Sequence, residues 1–237
     1  MLRIEHLTKT YGEKKAVDDL SLHIAPGEIY GFIGHNGAGK TTTIKACAGI
    51  LRFDAGKIAI DGLDVAENPL ECKRRTAYIP DNPDLYEFMS GSKYLNFIAD
   101  VYQVGREERA ARIKKYADIF GLTEDLAQPV SAYSHGMKQK LALIAALLHE
   151  PKLIIMDEPF VGLDPKASHL LKEIMRRHCD AGGAIFFSTH VLEVAEKLCD
   201  KVAIIKEGRL VASGTMDQVK GDASLEEVFL ELEGDDA

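Results

Sequence analysis

Residues 34–42 read GHNGAGKTT and satisfy the phosphate-cradling pattern G-x-x-x-x-G-K-[ST], with Gly34, Gly39, Lys40 and Thr41 in the required places. Each residue type has a task. Gly34, Gly37 and Gly39 are expected to let the backbone turn so that successive N–H groups face an anion. The positive end of the following helix points the same way. Lys40 supplies a point charge to the outer phosphates, and the Thr41 hydroxyl suits Mg²⁺. The whole stretch, with His35, Asn36, Ala38 and Thr42, is therefore assigned to binding a nucleoside triphosphate. Further along, the apolar run Leu153–Met156 ends in Asp157 and Glu158. An acidic residue at such a strand end suits Mg²⁺, and Glu158, one residue further, can orient or deprotonate an attacking water. Three other stretches carry polar groups at element ends. YSHGMKQK (133–140) puts the Ser134 hydroxyl and the bare N–H of Gly136 at a helix start. GLDP (162–165) follows the acidic pair, and FFSTH (186–190) is a strand ending in a histidine.

Alternation and run length indicate the elements that must position these groups. Strands are expected at Leu2–Leu7, Val17–Ile24, Glu28–Ile33, Lys57–Ile60, Thr76–Ile79, Lys152–Met156, Ala184–Phe187 and Val202–Ile205. Turns fall at Tyr11-Gly12 and Pro26-Gly27. Helices are expected at Lys40–Ile50, Tyr94–Tyr102, Glu107–Phe120, a striped run through Met137, Leu141, Ile144 and Leu148, Lys166–Asp180 and Val191–Leu198. A short amphipathic helix over about 224–233 is expected to dock on its own domain. The result is a single α/β domain. Its phosphate-loop core (about 1–89 and 151–220) carries an N-terminal antiparallel β subdomain and is interrupted by a helical insertion (about 90–150).

Composition narrows the class. The chain has 237 residues, 46% of them hydrophobic, and a net charge of −8, the wrong sign for a general nucleic-acid binder. Cys47, Cys72, Cys179 and Cys199 lie far apart without metal-ligand spacing, which suits free thiols in a reducing, cytoplasmic compartment. The start MLRIEHLTKT lacks the apolar core of a signal peptide, and the apolar run Leu141–Leu148 is too short to cross a bilayer. Any membrane role is then peripheral. No N-K-x-D or T-K-x-D guanine-reading motif occurs, which disfavours a GTPase.

Taken in order, the phosphate loop, YSHGM, the acidic strand end, GLDP and the terminal histidine resemble the ATP-binding-cassette (ABC) ATPases over essentially the whole chain. The resemblance implies that Tyr11 stacks on adenine. It implies that Ser134, His135, Gly136 and Met137 contact the γ-phosphate of ATP held by a second subunit, with Asp164 in the loop that communicates across that dimer. It also implies that His190 contacts the γ-phosphate and positions water. Two departures stand out. Asp81 occupies the place of the usual Gln that reaches Mg²⁺ and water, and YSHGM replaces the commoner LSGGQ. The implied cofactors are ATP and Mg²⁺. The implied partners are transmembrane permease subunits and a second ATPase subunit, identical or not, on the cytoplasmic face of the membrane. The short signature, Asp81 and the chain's ending suggest the branch that exports drugs, antibiotics, lipids or polysaccharides. A soluble ABC ATPase in translation or repair, or a non-hydrolysing switch, is the alternative.

Overall fold

The computed structural model describes residues 1–234. An antiparallel sheet, in the order β2-β1-β4-β5, comprises β1 (Leu2–Tyr11), β2 (Lys14–Ile24), β4 (Ala55–Ile60) and β5 (Leu63–Asp64). The second sheet comprises β3 (Ile29–Ile33), β6 (Thr76–Ile79), β7 (Leu153–Asp157), β8 (Ala184–Thr189), β9 (Lys201–Lys206) and β10 (Arg209–Thr215), in the order β10-β9-β3-β8-β7-β6. Its ladders are parallel except for the edge pair β9–β10. The helices are α1 (Lys40–Cys47), α2 (Pro69–Arg75), α3 (Gly91–Val101), α4 (Arg106–Phe120), α5 (His135–Leu147), α6 (Pro165–Asp180), α7 (Leu192–Leu198), α8 (Met216–Lys220) and α9 (Leu225–Gly234).

Strand periodicity explains the layering. Side chains alternate across a strand, so each central strand feeds two cores. Ile33, Ile154, Met156, Ile185 and Phe187 face the helical layer that includes α3–α5. Tyr30, Phe32, Leu153, Ile155, Ala184 and Phe186 face the antiparallel sheet and α1. Both faces of the parallel sheet are thus covered, and its carboxyl edge is left to carry loops. The segments after β3, β6, β7 and β8 all leave at that edge, which is where open parallel sheets place ligand sites.

Several expected bounds shift for local reasons. β1 runs on to Tyr11 because Lys9, Thr10 and Tyr11 still pair with Val17, Lys15 and Lys14. α1 stops at Cys47, short of Ile50, ahead of Gly49 at φ +65. The helix expected from Tyr94 starts at Gly91, where Ser90 Oγ accepts from Lys93 N–H. Ser90-Gly91 therefore forms the N-terminal cap of α3. A Cβ at Gly91 would lie 2.3 Å from the Tyr133 hydroxyl, so glycine serves close packing there. The four cysteines are buried free thiols. α9 buries Leu225 and Phe229 against its own domain.

Candidate functional site

The loop 34–39 joins β3 to α1, and its glycines serve different ends. Gly37 and Gly39 have φ of +85 and +109, which only glycine adopts without strain. Gly34 is not in the left-handed region, contrary to its expected turning role. A Cβ there would lie 2.5 Å from the Ile205 carbonyl oxygen, so Gly34 is required by close approach to β9. No side chain caps α1, which leaves its first-turn N–H groups available to an anion.

Lys40 is buried, and its Nζ donates to the carbonyls of Gly34 and of His35, the latter at 3.1 Å. Burial pushes its pKa below the ordinary lysine value, while Glu158 and Asp157 act in the opposite sense. The Glu158 Oε1 atom is 3.9 Å from Nζ. A partly desolvated ammonium folded over its own loop is a strong site for phosphate, because the anion restores the solvation that burial removed.

The acidic pair is clamped by a residue that the motifs did not single out. Ser188, on the neighbouring strand opposite Asp157, donates its hydroxyl to Asp157 Oδ1 at 2.5 Å and accepts from the Glu158 N–H at 3.0 Å. Asp157 Oδ2 is buried with no hydrogen-bond partner. An orphaned buried carboxylate oxygen is costly unless a ligand completes it. With Thr41 and Asp81 lining the same cleft, the donor set is all oxygen, as Mg²⁺ requires. Glu158 has φ +46, a strained setting for a non-glycine residue and a common one at reactive positions. Its Oε2 lies 3.0 Å from His190 Nδ1 and accepts from the His190 N–H at 3.4 Å. Asp81 Oδ1 accepts from Asn82 N–H at 2.8 Å, so one oxygen is engaged in its own turn.

A cleft of about 340 Å³ gathers Tyr11, His35, Asn36, Gly37, Gly39, Lys40, Thr41, Thr42, Asp81, Asp157 and Glu158. Tyr11 is 51% exposed, leaving a ring face open for stacking, with Lys9 Nζ 5.3 Å from its centroid. Lys14 and Ala16 also line the cleft and were not singled out. The signal for Lys14 was present, since the hairpin turn at Gly12 sets it opposite Tyr11. Gly34 and Ala38 shape the loop without lining the cleft, and His190 joins it through Glu158.

The remaining residues gather elsewhere. Ser134 caps α5, its Oγ accepting from Met137 N–H at 3.3 Å, and Ser134 and His135 are exposed. A Cβ on Gly136 would lie 2.8 Å from the Gly162 carbonyl oxygen, and one on Gly162 would lie 2.5 Å from the His135 ring. Asp164 caps α6 through Ala167 N–H and pairs with Lys140 Nζ at 2.6 Å. The Lys140 hydrogen bond, with that of Ala167, holds the Asp164 carboxyl below the usual range. The 134–137 and 162–164 segments form one ridge, exposed at Ser134, His135, Gly162 and Asp164, and do not line the cleft.

The protein-family model described as ABC transporter matches residues 17–161. This chain belongs to the ABC transporter family. Asp164 and His190 lie beyond the matched stretch. Among curated relatives, the ABC-type transporter ATP-binding protein EcsA of Bacillus subtilis is 35% identical over 242 residues, covering 100% of this chain and 98% of EcsA. The linearmycin resistance ATP-binding protein LnrL of the same organism is 34% identical, over 91% of this chain and 69% of LnrL. The ABC transporter ATP-binding protein sll0415 of Synechocystis is also 34% identical, and there this chain spans only 61% of the relative's length. A solved structure of an ATP-binding subunit of an ABC transporter superposes with a TM-score of 0.94 at 37% identity, covering 98% of this chain and 99% of that one. The ABC chain described here is accordingly an ATP-binding ATPase domain of the ABC fold.

Proposed function

We propose that this chain is the ATP-hydrolysing subunit of a membrane exporter. Two such subunits would close on two ATP molecules, each held by one chain's loop 34–42 and the other chain's ridge 134–137. The observation that carries this reading is the separation of the two groups of residues. The triphosphate cleft lacks Ser134 and Gly136, which sit apart from it at the N-terminus of α5, Ser134 exposed and Gly136 half-buried. Thr41, Asp157 and Asp81 would hold Mg²⁺, which supplies charge compensation on the outer phosphates when bound. Glu158 would take the proton of a water as its oxygen bonds to the γ-phosphorus and the β–γ bridging bond breaks, releasing ADP and phosphate. His190 fixes the Glu158 carboxylate, and Lys40 with the loop N–H groups stabilises charge on the transferred group. Tyr11 stacks on adenine.

The composite site is tested by mixing a Ser134→Ala chain with a Lys40→Ala chain. Each is expected to be nearly inactive alone, and the mixture to regain part of the wild-type rate, because a mixed dimer contains one intact site. Shown heterodimers with no regained activity would contradict the composite site.

Export is supported by relatives named for linearmycin resistance and daunorubicin resistance. Among the described residues no helix is long and apolar enough to cross a membrane, so membrane attachment would come from permease subunits on the cytoplasmic side. We place their docking surface at the joint between the core (about 1–89 and 151–220) and the helical insertion (about 90–150). Leu85 and Tyr94 are buried there and Met89 is half-buried, so these belong to the core packing. Phe88 is 82% exposed, and Tyr86 lies within 6.2 Å of the rings of Phe88, Tyr94 and Phe97. A solvent-facing aromatic group of this kind suits the anchor of a partner helix. Phe88→Ala is expected to weaken association with the co-purifying membrane protein by about tenfold or more, with basal ATPase activity unchanged. Wild-type affinity in a pull-down titration would move the docking surface elsewhere.

A further inference from the structure

The C-terminal helix touches the phosphate loop. α9 buries Leu225 completely and leaves Phe229 only 8% exposed. The Phe229 ring lies 4.9 Å, centroid to centroid, from the His35 imidazole, at a tilt of 56°. His35 is the second residue of the loop and lines the triphosphate cleft. Nearer the end of α9, the Leu232 carbonyl accepts from Lys206 Nζ at 3.1 Å, a cation placed at the negative end of the helix. Lys206 follows Ile205, whose carbonyl oxygen is packed so closely on Gly34 that a Cβ there would lie 2.5 Å away. α9 therefore meets the loop twice, directly at His35 and indirectly through the end of β9. A further cleft of about 530 Å³ shares His35, Asn36 and Gly37 with the triphosphate cleft and includes Lys206.

The loop crest has use for such a support. His35, Asn36 and Gly37 are all exposed, and Gly37 stands at φ +85 with no atom within 4 Å of where a Cβ would lie. The His35 carbonyl accepts from Ala38 N–H at 3.2 Å and from Lys40 Nζ at 3.1 Å, while the side chains of the crest face solvent. A contact that orders such a segment before phosphates arrive improves affinity by lowering the entropy cost of binding. An aromatic ring set at a tilt against an imidazole is a directional contact, whereas aliphatic packing would fill the space without orienting the imidazole.

We propose that Phe229 is a positioning residue for nucleotide binding: its ring holds His35, and with it the crest 35–37, in the form that receives the outer phosphates. The proposal rests on the reading of residues 34–42 as the triphosphate cradle. Linkage is reciprocal, so ATP in the cradle also steadies α9.

The test is a calorimetric titration of the full chain and its Phe229 variants with ATP, joined to hydrogen exchange of the 225–232 amides. Phe229→Ala is expected to weaken ATP binding by roughly three- to tenfold, with kcat at saturating ATP unchanged. Phe229→Tyr, which keeps the ring, restores wild-type affinity. Phe229→Leu, which keeps apolar volume without a ring, stays weak, and this pair decides the matter if the alanine variant fails to fold. In the wild type, ATP slows exchange along α9, and in Phe229→Leu it does not. Equal affinities for the Leu and Tyr variants, or α9 exchange indifferent to ATP in the wild type, overturn the proposal. A wild-type chain that binds no ATP brings down the cradle reading and this inference with it, whereas normal wild-type binding with unaffected variants removes this inference alone.

Discussion

Glu158→Gln is expected to lower the ATP turnover number by about 10²- to 10³-fold while leaving ATP affinity within about threefold of the wild type. The amide keeps the side chain's shape and can still accept from the His190 N–H that now reaches Oε2. It removes the basicity that a water's proton needs. It also removes the carboxylate 3.9 Å from Lys40, which acts to raise that lysine's pKa against the effect of burial. Asp157 remains and acts on Lys40 in the same sense as the carboxylate that is lost. Steady-state hydrolysis and a calorimetric titration read the two quantities separately. Turnover above about a tenth of the wild-type value, against the magnitude expected for a general base, would place the base elsewhere.

Lys40→Ala is expected to act on binding itself. Losing a charge-assisted contact to phosphate costs about 2–3 kcal/mol, which raises the ATP dissociation constant by roughly 30- to 150-fold. The carbonyls of Gly34 and His35 lose their donor at the same time, so the loop also loses part of its preorganisation. The fold should persist, because deleting a desolvated ammonium removes a cost along with the two bonds. Titration of the purified variant, checked by circular dichroism, measures this directly. Unchanged affinity would remove Lys40 from the site.

The contrast between these two residues shows what sequence conveys. The loop 34–42 and the acidic strand end were legible because their spacing is itself the chemistry: turn-forming or close-packing glycines, a lysine, a hydroxyl at a helix start, carboxylates after an apolar strand. β3, β7 and β8 are buried along their whole length and read as apolar runs, with polar residues only at their ends, Asp157 in β7 and Ser188-Thr189 in β8. β10 was missed because its exposure alternates and Ser213-Gly214 interrupts it, so only its pairing with β9 makes it a strand. β5, α2 and α8, at 2, 7 and 5 residues, are too short to show a period. Sequence spacing suggests a turning role for Gly34, whereas its actual constraint is a carbonyl on β9, a neighbour that local sequence cannot reveal. Ser188 lay inside the FFSTH stretch, yet its clamp on Asp157 and Glu158 depends on which strand lies beside which. The exposed ridge of Ser134 and His135 against Gly162 was legible as motif residues, and its separation from the cleft emerged only in three dimensions.

ATP is expected to close two copies of this chain on one another. Sedimentation of purified Glu158→Gln with ATP and Mg²⁺, compared with the same protein without nucleotide, tests it most directly. The predicted result is a shift from monomer to dimer on adding ATP, reversed when Ser134→Ala is combined with it. A protein that stays monomeric across the ATP range that saturates its cleft would contradict ATP-driven closure.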